Sequence, residues 1–144
     1  MLRLSKKTLF ALEAVVDVAC NARPSPVQSK SITRRQGIPQ RYLEQVMQEL
    51  VRAGILKGVR GPKGGYRLAR ERRRVTVGEI VQVVGAAELN KDFSHGTTSV
   101  LGDKVIYPVW KKLQDEFLEH LNSVTVEDLC RLAHEAGLKT EDQR

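Results

Sequence analysis

Apolar residues recur every three or four positions through Leu43, Val46, Met47, Leu50 and Ala53, the period that buries one face of an α-helix. The opposite face carries Gln40, Arg41, Glu44, Gln45, Gln48 and Arg52. Gly54 supplies the favoured C-terminal stop. Beyond it, Ile55-Leu56-Lys57-Gly58-Val59 and Tyr66-Arg67-Leu68-Ala69 read as two strands joined by the turn Arg60-Gly61-Pro62-Lys63-Gly64-Gly65. A helix, a tight stop and a basic hairpin in that order predict a recognition helix followed by a wing.

Upstream, Leu9, Leu12, Val16 and Cys20 define the inner face of a helix from about Ser5 to Asn21, which Ala22-Arg23-Pro24-Ser25-Pro26 cannot continue. A shorter helix fits residues 28–36 and closes at Gly37. Pro39 suits the first turn of the next helix, where its missing N–H needs no partner. Downstream, Thr76 and Glu79 form a capping-box pattern that opens a short helix with Ile80, Val83 and Val84. Residues 86–103 show no period. From Lys104 to Asn122 a long helix carries Ile106, Val109, Trp110, Leu113, Phe117 and Leu121 on one stripe, which must pack on something large. Thr125 and Asp128 cap a last helix whose inner face is Val126, Leu129, Cys130 and Ala133, and residues 138–144 form a polar tail. The expected fold is mainly α with a small β-hairpin wing: a winged helix-turn-helix over 1–85, a connecting loop over 86–103, and further helices over 104–137.

Charge sharpens the picture. The 144 residues carry a formal net charge of +7. Residues 1–75 hold 17 Lys and Arg against 5 Asp and Glu, net +12, while residues 76–144 hold 7 against 12, net −5. One half is suited to a polyanion and the other is not. No stretch approaches the ~20 apolar residues of a membrane span, and the N-terminus lacks the apolar core of a signal peptide, so a cytoplasmic protein is expected. Two cysteines are too few for a disulfide framework. Cys20 and Cys130 both fall on apolar helix faces, where a buried core thiol competes with a redox-active one. Cys130 and His134 are one helical turn apart, but two ligands do not make a metal site without help from His95, His120 or a second subunit.

The motifs are specific enough to name relatives. Leu4-Ser5, Ala14-Val15-Val16-Asp17-Val18-Ala19, Arg35-Gln36-Gly37-Ile38, Tyr42-Leu43-Glu44-Gln45, Val59-Arg60-Gly61-Pro62-Lys63-Gly64-Gly65-Tyr66 and Val77-Gly78-Glu79-Ile80 together resemble the bacterial winged-helix regulators. That family includes the iron-sulfur cluster regulator, the nitric-oxide-sensitive repressor and the cysteine-metabolism repressor. The resemblance covers residues 2 to about 130. It implies double-stranded DNA as partner and a homodimer in which the long helix crosses to a second copy, burying Ile106, Val109, Trp110, Leu113, Phe117 and Leu121. It also implies that Glu44 reads a base, that Arg41 and Tyr42 contact the duplex, and that Arg60 enters the minor groove. The chemistry suits these roles, since a carboxylate accepts from cytosine N4 and a guanidinium suits the negative potential of a narrow groove. With the neighbouring basic and polar positions, the candidate DNA-facing set is Ser5, Lys6, Arg34, Arg35, Gln40, Arg41, Tyr42, Glu44, Gln45, Arg60, Gly61, Lys63 and Gly64. Against it stand a helix-surface ion pair for Glu44 and a core-edge aromatic for Tyr42.

The chain departs from many of those relatives at the loop equivalent to their cluster-binding loop. The positions of their three cysteines fall at Phe93, Ser99 and Val105, and the histidine ligand of the cluster regulator falls at Pro108. Phenylalanine, valine and proline offer no side-chain ligand, so no cofactor is expected there. A small-molecule or protein effector seated between the stripe and the loop stays open. The function expected is a sequence-specific transcription regulator, by family habit a repressor, on a palindromic operator. The alternative is a winged-helix interaction module whose output is set by a partner protein, which the basic half and the polar outer face of residues 40–52 disfavour. An enzyme is the weakest reading: there is no nucleophile and base pair, and Gly61 to Gly65 lies between strands rather than opening a helix.

Overall fold

The computed structural model describes residues 4–22, 25–91 and 99–138. Three helices come first, α1 (Lys6–Asn21), α2 (Ser29–Gln36) and α3 (Gln40–Arg52), then strands β1 (Leu56–Val59) and β2 (Gly65–Leu68), a 3-10 turn at Arg72–Arg74, and α4 (Val77–Lys91). A π-helical turn at Gly102–Ile106 runs into α5 (Tyr107–Asn122), and α6 (Val126–Glu135) follows. The mainly helical fold with one antiparallel hairpin is the one expected, and β1 pairs β2 with Leu56 opposite Leu68 and Val59 opposite Gly65.

Local chemistry sets the helix ends. The Ser5 hydroxyl accepts the Thr8 N–H at the start of α1 (3.2 Å), and Thr76 accepts the Glu79 N–H at the start of α4 (3.1 Å). Each satisfies one orphan donor of a first turn. At α6 the box is reciprocal: Thr125 Oγ1 accepts the Asp128 N–H while Asp128 Oδ2 accepts the Thr125 N–H. Hydrogen bonding from the Thr125 backbone N–H, and after it from the Thr125 side chain, holds the Asp128 carboxyl below its ordinary pKa. Pro39 sits at the N-cap of α3, just outside the first turn expected for it.

Three elements differ from the sequence pattern. The buried face of α1 is Ala11, Ala14, Val15, Val18 and Ala19, with Thr8 and Asp17, whereas Leu9 is exposed and Leu12, Val16 and Cys20 lie on the flank. Alanines let α1 lie close to α3 and α4, so the smaller residues face inward and the leucines cover the edge. α4 continues to Lys91, although its apolar period fades after Val84. Ala86, Ala87, Glu88 and Leu89 are strong helix formers and extend the helix without a stripe to betray it. The long helix likewise starts before Lys104: Ser99 accepts the Gly102 N–H through its side chain (2.9 Å) and the Asp103 N–H through its carbonyl (3.1 Å).

The core joins α1 to Ile32, Ile38, Leu43, Val46, Met47, Leu50, Ile55, Leu56, Val75 and Ile80, all at most 1% exposed. Val126 and Cys130 of α6 close it from the far side. The end of α5 is tied to the winged unit through the backbone: the Val77 N–H donates to Val124 O and the Val126 N–H to Val75 O, each at 2.8 Å. At that crossing Gly78 leaves room for Asn122, because a Cβ there would lie 2.0 Å from Asn122 Oδ1 and force that side chain to move.

Candidate nucleic-acid interface

α3 turns Leu43, Val46, Met47 and Leu50 into the core and leaves Gln40, Arg41, Glu44, Gln45, Gln48 and Arg52 exposed. A polar chain crosses from α2 onto this face. Thr33 Oγ1 donates to Gln40 Oε1 (3.0 Å), and Gln40 Nε2 donates to Glu44 Oε1 (3.2 Å). Glu44 is therefore oriented by Gln40 and not by the helix-surface ion pair weighed from the sequence. Arg41 instead lies over the Tyr42 ring, its Cζ 5.0 Å from the centroid, a contact in which the guanidinium meets the negative ring face. Tyr42 packs in turn on Phe10, with centroids 5.7 Å apart. It is a half-buried aromatic at the core edge whose neighbour Arg41 is presented to solvent.

The wing is fastened to the start of α2. Val27 and Tyr66 exchange backbone hydrogen bonds at 3.0 and 2.7 Å, and Gln28 Nε2 reaches Pro62 O at 3.4 Å. Gly65 permits this approach, since a Cβ there would stand 2.3 Å from Val27 O. The turn closes through Gly64 N–H to Gly61 O (2.9 Å), leaving Arg60, Gly61 and Lys63 exposed. Between wing and helices lies an open groove of about 640 Å³ lined by Gln28, Lys30, Val51, Arg60 and Tyr66 among others. Lys6 and Arg34 are also exposed, and Ser5 is half-buried as the α1 cap.

Arg35, expected among the DNA contacts, is committed elsewhere. Its Nε and Nη2 donate to Asp17 Oδ2 (2.9 Å) and Oδ1 (2.7 Å), and Gln36 Nε2 adds a third bond to Oδ2 at 2.8 Å. The Asp17 side chain is fully buried. A carboxylate removed from water requires such donors, so Arg35 and Gln36 lock the end of α2 against α1. The sequence signal was Asp17 itself, a charge inside an apolar helix face, but its partner is brought near only by the fold.

On α5 the stripe faces outward: Val109 is 55%, Trp110 43%, Leu113 52% and Phe117 38% exposed, with Ile106 beside them and Leu121 half-buried. Of the positions corresponding to cluster ligands, Ser99 caps the helical turn, Val105 lies in the π-turn and Pro108 in the first turn of α5. Phe93 and His95, with the loop side of the proposed effector seat, fall outside the described residues. This donor set does not fit an iron-sulfur cluster, which needs thiolates or imidazoles at the iron. Among the described residues no group of three or more His, Cys, Asp or Glu is placed to hold a metal, and no helix is long and apolar enough to cross a membrane.

Comparison with known proteins agrees with this geometry. Residues 4–132 match the family described as Rrf2, iron-dependent transcriptional regulator. The HTH-type transcriptional regulator IscR of Vibrio atlanticus is 33% identical over 132 residues, 90% of this chain and 76% of that protein. Its counterpart from Escherichia coli is 35% identical over 130 residues, 89% of this chain and 80% of the relative. Among solved structures, T. potens IscR superposes with a TM-score of 0.76 at 37% identity, covering 94% of this chain and 90% of that one. CymR, described as the global cysteine regulator of B. subtilis, gives 0.73 at 30% identity over 92% and 98%.

Proposed function

The chain belongs to the Rrf2 family of transcriptional regulators, and from that premise we propose that it acts as a homodimeric repressor on a roughly palindromic operator, without an iron-sulfur cluster. The observation that carries the reading is the exposed face of Arg41, Glu44, Gln45 and Gln48 on α3 beside a docked wing that exposes Arg60 and Lys63. Side chains of these types match base edges in a major groove, and the wing cations match phosphates or a narrow minor groove. Ser5, Lys6, Arg34, Gln40, Tyr42, Gly61 and Gly64 complete the contact surface. Arg35 supports it from behind. The outward stripe of α5 is too apolar to stay in water and suits burial against its copy across a two-fold axis. Such a dimer reads half-sites about one helical turn, ~34 Å, apart or a multiple of it.

Binding titrations over a salt series, on an operator selected from random duplexes and on its single-base variants, test the assignment. Glu44→Ala is expected to relax base choice at one symmetric position per half-site, losing ~1–3 kcal/mol of discrimination. Lys63→Ala is expected to weaken all sequences nearly equally and reduce the salt slope by about one per subunit. Equal weakening of every sequence by Glu44→Ala would move the reading face elsewhere. Stoichiometric iron in protein expressed anaerobically with iron supplied would remove the clusterless part of the reading.

A further inference from the structure

Cys20, in the last turn of α1, and Cys130, on α6, are separated by 110 positions, yet their Sγ atoms stand 3.0 Å apart. Neither is bridged. The contact sits on a defined interface: Val126 and Cys130 are the buried residues of α6, and the Thr125 capping box and the Val126 bond to Val75 fix where that helix begins. Cys130 is 8% exposed while Cys20 is half-buried, so Cys20 is the more accessible residue of the two. A disulfide requires the sulfurs at about 2.05 Å. From 3.0 Å, about 1 Å of approach remains between the sulfurs.

We propose that Cys20 and Cys130 form an oxidisable dithiol that closes to an intramolecular disulfide by exchange with low-molecular-weight disulfides, joining the first helix of the winged unit to the last helix of the chain. The thiolate of Cys20, the accessible member, attacks one sulfur of the small disulfide. That bond breaks, one small thiolate leaves and takes up a proton, and a mixed disulfide forms on Cys20. Cys130 then attacks the Cys20 sulfur, its proton passes to the second departing thiolate, and the protein S–S bond forms. Two cysteine thiols are oxidised and one small disulfide is reduced to two thiols.

The surroundings set the pace. The Cys20 thiol is pushed well above its ordinary pKa, first by its hydrogen bond to Cys130, then by burial and by the charge Cys130 would carry, with Arg72 opposing and Asp17 adding. The neutral Cys20 thiol dominates near pH 7, and thiolate is the attacking species. The pair is a slow lock, not a fast peroxide trigger. Cys20 also lies one turn beyond Asp17, the residue that holds Arg35 and Gln36 at the end of α2.

The test uses reduced full-length protein incubated with oxidised glutathione, followed by thiol titration in denaturant, intact mass and thermal melting. Both thiols are expected to disappear together, with a mass lower by two hydrogen atoms, no retained glutathione and no chain-to-chain link. Dithiothreitol should restore the thiols. Because the bridge closes a loop of more than a hundred residues, the oxidised protein should melt higher by on the order of 10 °C. Cys130→Ser keeps the accessible thiol and removes the resolving one, so it should retain glutathione as a stable adduct on Cys20. Wild-type protein that keeps glutathione on either cysteine, links to a second chain, or shows both thiols intact after prolonged incubation would overturn the proposal, whatever the variant does.

Discussion

Replacing Arg35 with alanine separates two roles that the same guanidinium could fill. If it is the scaffold described above, the variant leaves the Asp17 carboxylate, whose side chain is fully buried, with Gln36 as its remaining side-chain donor. Two charge-assisted hydrogen bonds vanish, at 2.9 and 2.7 Å, each worth roughly 1.5–3 kcal/mol. Stranding a buried charge in this way costs about 3–5 kcal/mol, a large part of the 5–15 kcal/mol typical of a domain. Urea unfolding monitored by circular dichroism measures it, read as a fall in the midpoint at unchanged slope. Asp17→Ala with Arg35→Ala removes both charges together and should recover part of the loss, because no carboxylate is then left unpaired. Binding to a non-operator duplex supplies the second reading. A phosphate-contacting arginine would lower the salt slope by about one per subunit, whereas a scaffold arginine leaves that slope unchanged in variant protein that is still folded. A loss of stability under about 1 kcal/mol together with a reduced slope would refute the scaffold assignment and return Arg35 to the DNA contacts.

Leu113→Asp with Phe117→Asp places two carboxylates in the apolar stripe of α5; sedimentation should show the parent as the proposed dimer and the variant as monomer, and an unchanged dimer would locate the interface elsewhere. Asp128 tests the α6 cap through pH. Its folded pKa is depressed by the Thr125 backbone and then side-chain bonds, so its stabilisation is fully present above the unfolded value of ~3.9 and is lost as pH falls through the lower folded value. Asp128→Asn should therefore unfold more easily than the parent at pH 6 and converge with it in acid, and a constant difference across that range would show that the carboxylate charge is not what the cap uses.

Periodicity was a good guide where one face of an element meets the core and the other meets water. α3 shows this: Leu43, Val46, Met47 and Leu50 are buried and the polar residues between them are exposed. It was a poor guide in α1, which packs on α3, α4 and α6 at once. There the alanines needed for close approach carry little hydrophobic weight, and the leucines that dominate the pattern lie at the flank. It was silent at the end of α4, where helix propensity rather than a stripe continues the chain. The exposed polar face of α3 and the hairpin were legible as residue types at fixed spacing. What joins them was not: Thr33 to Gln40 to Glu44, Gln28 to Pro62 and Asp17 to Arg35 each bring together residues whose pairing depends on the packing of separate elements.

The same limit explains why Cys20 and Cys130 read as two unrelated core thiols until α6 folds back onto α1. That return is set by short-range bonds at one crossing, where Val77 and Val126 donate to Val124 and Val75, Thr76 Oγ1 meets Asn122 Oδ1 at 3.2 Å, and Gly78 leaves room for them. The crossing fixes the direction in which α5 leaves the winged unit, and in a two-fold dimer that direction governs the separation of the two recognition helices. On the clusterless reading proposed above, a signal from a bound cluster would have no seat beside α5. The dithiol lies at the other end of the same construction, between the helix that anchors α2 and the helix that receives α5. A bond formed there would act on the frame that holds α2, α3 and the wing, and would need no change in any residue of the proposed DNA-facing surface.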